Sequence, residues 1–205
     1  MGQYYIALVT DKNNKKTQKF HPHEFAESAK LTDHSLIGNE FIQAVYSTIH
    51  NTPRKVAWIG DYSDEPYDPT TDVYAQALSR KEFMKMYKIA WGEDTLFYGE
   101  EGFELNNSEP DEYDTKVTYL VNHDLKCYID IAAYIERSTI QEGEMKGNCL
   151  DPLPLLTACG NNRGCGDFRS GIGFDDVGKW AFHRIECADQ IPEGYDLMDC
   201  CFIEA

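Results

Sequence analysis

RKVAWIG, residues 54–60, is the stretch that sets the fold class. Its run of Val56, Ala57, Trp58 and Ile59 reads as a buried strand. A second tryptophan-bearing run, GKWAFHRIEC at 178–187, reads as another. Upstream, QYYIALVT (3–10) is rich in strand formers and is followed by the turn chemistry of DKNNKK and by TQKFH. That pattern predicts a hairpin with Lys12, Lys15 and Lys16 at its tip. Residues 116–135, KVTYLVNHDLKCYIDIAAYI, predict a second hairpin turning at Asn122, His123 and Asp124.

Helices fill the gaps. Ile37, Phe41, Ala44, Val45 and Thr48 recur at three- and four-residue spacing, which predicts an amphipathic helix from near Asn39, ended by Asn51, Thr52 and Pro53. Ser79 and Glu82 form a capping box for a helix with a stripe of Phe83, Met86, Tyr87 and Ala90, closed by Trp91 and Gly92. The expected class is α+β: a mixed or antiparallel sheet of two hairpins and two Trp-bearing strands, flanked by helices near 39–50 and 80–91.

The chain of 205 residues is expected to form one domain. Its halves, 1–68 and 115–205, share a hairpin–loop–strand pattern, with a helical and acidic insertion at 72–114 between them. That pattern predicts an internal duplication.

Composition narrows the function classes. With 35 acidic against 19 basic residues the net charge is −16. Such a surface repels phosphate backbones, so direct nucleic-acid binding is not expected. It suits a protein partner with a basic surface, and it also serves solubility. Between 93 and 114 stand nine carboxylates, Glu100, Glu101, Glu104, Asp111 and Glu112 among them, with no Lys or Arg. No apolar run approaches the ~20 residues that span a bilayer, and the N-terminus lacks the basic and apolar regions of a signal peptide. No membrane association and a cytoplasmic setting are expected. The seven cysteines then read as reduced thiols.

The densest candidate for chemistry is DPLPLLTACGNNRGCGDF at 151–168. An apolar run of Leu153, Leu155 and Leu156 feeds a loop with Gly160, Gly164 and Gly166. Glycine lets backbone approach a ligand or another segment closely. Asn161, Asn162, Arg163 and Asp167 are the candidate binding residues, although the loop matches neither phosphate-binding fingerprint. Close packing of backbone is the competing account. Zinc is the sharpest cofactor possibility, with Cys159 and Cys165 six apart and His183 and Cys187 four apart, but no C-x2-C occurs. A nucleophilic Cys165 beside Arg163, with His183 or His123 as base, is a further arrangement. The cysteines as small buried apolar groups are the simpler account, and no cofactor is expected. His21-Pro22-His23 lacks a third ligand nearby and reads as a turn. Asp61, Asp64, Glu65, Asp68 and Asp72 lack the calcium-loop pattern and read as a solvated loop.

MGQYYIALV, HPHEF, KLTDHSLIGNEF, VAWIGDY, YLVNHDLKCYID and above all PLPLLTACGNNRGCGDF with VGKWA resemble a family of small bacterial and phage proteins without an assigned activity. The resemblance covers most of the chain outside 93–114 and implies a phage-linked setting inside a bacterial host cell. In that family the loop carries glycine where this chain has Cys165, and no cysteine at 159, which weighs against metal ligation there. Charge and resemblance lead to an expected non-enzymatic binding protein that inhibits a basic, nucleic-acid-handling host protein as a host-defence antagonist. The alternative is a small enzyme, or a nucleotide- or metal-binding protein, working through the loop at 159–167.

Overall fold

A computed structural model describes residues 3–11, 17–63, 80–92, 116–140, 146–160, 168 and 170–204. Strand β1 (Tyr5–Thr10) pairs antiparallel with β2 (Thr17–Phe20), Ala7 facing Phe20, and on its other edge with β3 (Arg54–Gly60), Leu8 facing Ala57. Strand β4 (Tyr119–Asn122) pairs antiparallel with β5 (Cys127–Asp130) and with β8 (Arg184–Ala188). Short antiparallel pairing of β3 with β8 joins the two groups. The remainder of β3 pairs in parallel with β6 (Ala158–Cys159), and β9 (Asp196–Leu197) adds in parallel to β5. The sheet order is β2-β1-β3-β8-β4-β5-β9, with β6 beside β3. Each hairpin therefore lies on the outer side of the strand that joins it to the centre. A separate small pair is made by β7 (Gly171–Ile172) and β10 (Ile203–Glu204). The class is α+β with a mixed sheet.

Both predicted helices form. Helix α2 (Glu40–Ile49) starts at Asn39, whose side-chain oxygen accepts from the N–H groups of Phe41 and Ile42, and it buries Phe41, Ile42, Val45, Tyr46 and Ile49. Helix α3 (Arg80–Trp91) carries the expected apolar stripe; Ser79 of its capping box lies outside the described residues.

Two local expectations are corrected. The second hairpin strand stops at Asp130, whose carboxylate accepts from the Ala133 N–H and starts helix α4 (Ile131–Ser138). A capping carboxylate outweighs the strand preference of Ile131, Tyr134 and Ile135. Likewise β8 begins four residues after Trp180, so Trp180 is not on a strand. The N–H groups of Gly178 and Trp180 bond the Leu155 and Leu156 carbonyls at the end of helix α5 (Pro152–Leu156), and Phe182 takes φ 61 before the strand begins. His21 is the cap of a 3-10 turn at Pro22–Phe25, its ring nitrogen accepting from the His23 N–H.

Alternation along β3 sends Val56 and Trp58 to one core and Ala57 and Ile59 to another. The first core takes Tyr5, Ala7 and Val9 of β1, Leu120, Ile129, Ile185 and Cys187 of the far strands, and the inner faces of α2, α4 and α5. The second is smaller: Ile6, Leu8, Cys159, Ala181 and Phe182 under α3. Helix α3 is tied down by the Tyr87 hydroxyl on the Asp61 carbonyl and the Trp91 indole on the Ile59 carbonyl.

Two buried ionisable groups stand in the first core. His34, at the end of helix α1 (Leu31–His34), bonds the Ser28 carbonyl through Nδ1 (2.9 Å) and accepts from the Trp58 indole at Nε2 (3.1 Å). Burial lowers its pKa to about 4, against the smaller opposing effects of the Ser28 carbonyl and Asp33. Asp151 caps α5, accepts from the Tyr46 hydroxyl (2.7 Å) and the Leu153 N–H (2.9 Å), and bonds Ser35 through its own N–H. Burial raises it to about 6, although both donors favour the anion.

The two shifts act oppositely on stability. A depressed histidine contributes stability that is present above pH 6.5 and lost as pH falls toward 4. A raised carboxyl costs stability as pH climbs from its unfolded value toward 6. Each is worth on the order of 3 kcal/mol, so they offset one another between pH 4 and 6.5. In urea unfolding, Asp151→Asn should gain by about that amount relative to wild type as pH rises from 4 to 6.5. His34→Gln should gain as pH falls over the same range. A stability difference that stays constant with pH would contradict the assignment for that residue.

Candidate functional site

Most of the residues singled out from the sequence, Asn161, Asn162, Arg163, Cys165, Asp167, Glu100, Glu101, Glu104, Asp111 and Glu112, lie outside the described residues. The approach to the glycine loop is described. All five residues of α5 are buried, and β6 delivers Gly160 beside the buried Tyr5 and Gln3. A Cβ on Gly160 would overlap the Tyr5 hydroxyl, and one on Gly60 would overlap the Gln3 amide. A side chain at 160 would force the buried Tyr5 or the local backbone to shift.

Among the described residues, the metal-ligand candidates Cys159, His183 and Cys187 form no metal-holding group. Cys159 lies in the second core and Cys187 in the first. His183 stands just before β8, so its four-residue spacing from Cys187 runs along extended chain and spans about 13 Å. Among the described residues, no three His, Cys, Asp or Glu side chains are placed to hold a metal ion. Burial pushes the thiols of Cys149, Cys187 and Cys200 up to about 12, which removes them as thiolate nucleophiles.

Polar groups do converge at the β4–β5 turn. Asn122 Oδ1 accepts from the N–H groups of Asp124 and Leu125, forming the turn, and its amide donates to His183 Nδ1 (3.0 Å). His183 is lowered by burial and by Lys55, with Asp124 opposing. Asp124 receives the N–H and Nε–H of Arg184, each at 2.7 Å. Burial raises the Asp124 carboxyl, and these bonds with the Arg184 and His183 charges outweigh it, leaving the pKa low.

Beside this pair His123 bridges Glu186 (Nε2, 2.6 Å) and the Tyr195 hydroxyl (Nδ1, 3.0 Å). The His123 and Glu186 side chains are only 16% and 15% exposed. When Nε2–H donates to Glu186, Nδ1 accepts from Tyr195, an orientation suited to moving a proton at the phenol. These side chains share the sheet face opposite the first core with Tyr119, Val121 and Tyr128, beyond the part that α3 covers.

The C-terminal run lies alongside. Residues 185–205 hold six carboxylates and no Lys, Arg or His. Asp189, Glu193, Asp196 and Asp199 are exposed. Asp199 pairs with Arg137 and Asp189 bonds His50 and Asn51. Leu125, in the β4–β5 turn, and Leu197, on β9, are each 53% exposed, and Ile191 is exposed on the chain before β9. The charge of this run is legible in the sequence. The joining of His123 with Glu186 and Tyr195 is not, because the partners are 63 and 72 residues away.

Comparison of the chain with protein-family models, with curated proteins and with solved structures finds no match.

The Gly160 packing is directly testable. Gly160→Ala should destabilise by about 1–3 kcal/mol in thermal or urea unfolding, the usual cost of overpacking. In a Tyr5→Phe background, which removes the obstructing hydroxyl, the same change should cost clearly less. Equal costs in both backgrounds would mean that contact with Tyr5 is not the reason for glycine.

Proposed function

We propose that the protein is a non-enzymatic, acidic binding protein of phage or mobile-element type. It engages a basic, nucleic-acid-handling protein in the bacterial cytoplasm and inhibits it, as a host-defence antagonist does. The observation that carries this reading is the charge: 35 acidic against 19 basic residues, with long runs free of Lys and Arg at 93–114 and 185–205. A partner whose surface normally holds phosphates presents the complementary field, and complementary fields steer encounter and disfavour wrong partners. The inert buried thiols are consistent with it.

A second reading is a small enzyme or a nucleotide- or metal-binding protein. The glycine loop at 159–167 and the Glu186–His123–Tyr195 chain favour it, the latter because that arrangement suits acid–base chemistry. Zinc at Cys159, Cys165, His183 or Cys187 belongs to the same alternative.

One experiment separates the readings. Tagged protein incubated with host lysate at low salt should retain nucleic-acid-handling proteins and release them at about 1 M salt, where the Debye length falls to about 3 Å. The partner should also raise the melting temperature, while nucleotides and divalent metals leave it unchanged. Recovery of no such protein at low salt, together with stabilisation by a nucleotide or a metal, would replace the first reading with the second.

A further inference from the structure

We propose that the partner docks on the β5–β9 edge of the sheet, and that what docks is an extended segment carrying an apolar side chain between Lys or Arg residues. The proposal rests on the acidic-binder reading and gives it a location. Strand β9 is the last in the sheet order. The N–H groups of Asp196 and Met198 turn inward to the carbonyls of Lys126 and Tyr128. Leu197, between them, therefore turns its backbone N–H and carbonyl to the open side. An edge of this kind accepts an added strand, with main-chain bonds giving affinity and alternate side chains giving specificity.

The chemistry around the edge selects the occupant. Leu125, in the turn before β5, and Leu197, on β9, offer exposed apolar contacts at the β5–β9 pairing, where Cys127 faces Asp196 and Tyr128 faces Leu197. Glu193 and Asp196 are exposed and have no ion-pair partner among the described residues. The β5–β9 pair itself carries no Lys or Arg, Lys126 stands just before it, and the nearby Arg184 is held by Asp124. The opposite edge strand, β2, carries Lys19 and no carboxylate of its own, the nearby Glu24 standing beside Lys19. Charge complementarity thus assigns a basic segment to β9 and not to β2. A central apolar anchor with charges at the rim is also the usual distribution of binding energy at interfaces.

The test uses the full chain, labelled with nitrogen-15, and a synthetic heptapeptide of alternating Lys and Leu at low salt. Amide shifts should change at 125–128 and 195–198. Leu197→Ser, and separately the pair Glu193→Lys with Asp196→Lys, should weaken binding at least tenfold without lowering the melting temperature. The same peptide with Glu in place of Lys should not bind. Shifts confined to 93–114 would overturn the docking surface and leave the acidic-binder reading standing. No shift anywhere would count against both, and equal binding of the Glu peptide would remove the charge argument.

Discussion

The fold depends on the enclosure of one strand. β3 has β1 along one edge, with β8 and then β6 sharing the other, and an apolar core against each face. Hydrogen bonds on both edges and burial on both faces permit only apolar side chains over its central residues, and Val56, Ala57, Trp58 and Ile59 meet that demand. A shift of one residue would exchange Trp58 with Ala57 between a large core and a small one. Trp58 is further fixed by its indole bond to His34 and its edge contact with Phe41, so α1 and α2 take their places from it. The parallel pairing with β6 brings α5 onto the same core and places the start of the glycine loop beside β1.

The large core tolerates two ionisable groups because each is bonded in a form the site can hold. His34 is neutral at ordinary pH, with both ring nitrogens engaged. Asp151 joins Tyr46 and α5 through its carboxylate and Ser35 through its own N–H, so one residue ties three segments together. Their responses to protonation run in opposite directions under mildly acidic conditions.

What was legible in the sequence was whatever local chemistry decides. Asn39 with its apolar stripe gave the limits of α2, and the alternation of QYYIALVT with its turn gave β1 and β2. Where non-local bonds decide, sequence reading missed. Trp180 looks like strand, yet its N–H is claimed by a carbonyl of α5. Residues 131–135 look like strand until Asp130 is recognised as a cap. The same holds at the site. His123 stood out as a turn residue and a possible base and His183 as a possible base or metal ligand, whereas the β4–β8 register sets Glu186 beside His123 and the β5–β9 pairing brings in Tyr195. The acidic run after Arg184 is plain in the sequence, but the sheet edge it occupies is not.

Among the described residues, coverage of the two sheet faces is uneven. Among the described residues, α3 covers one face over β1 and β3, and farther along the sheet β4, β5, β8 and the chain after β8 carry tyrosines, a histidine–carboxylate pair and acidic side chains. The enclosed strand β3 is buried over Val56–Gly60, whereas β9 at the far edge is exposed. Native-state hydrogen exchange measures that division directly. The amides of Val56, Trp58 and Ile59 should exchange only through global unfolding and be the slowest in the chain, with those of β9 exchanging much faster through local opening. Amides of β4 or β5 outlasting those of β3 would contradict the account, because the sheet would then be organised around a different strand.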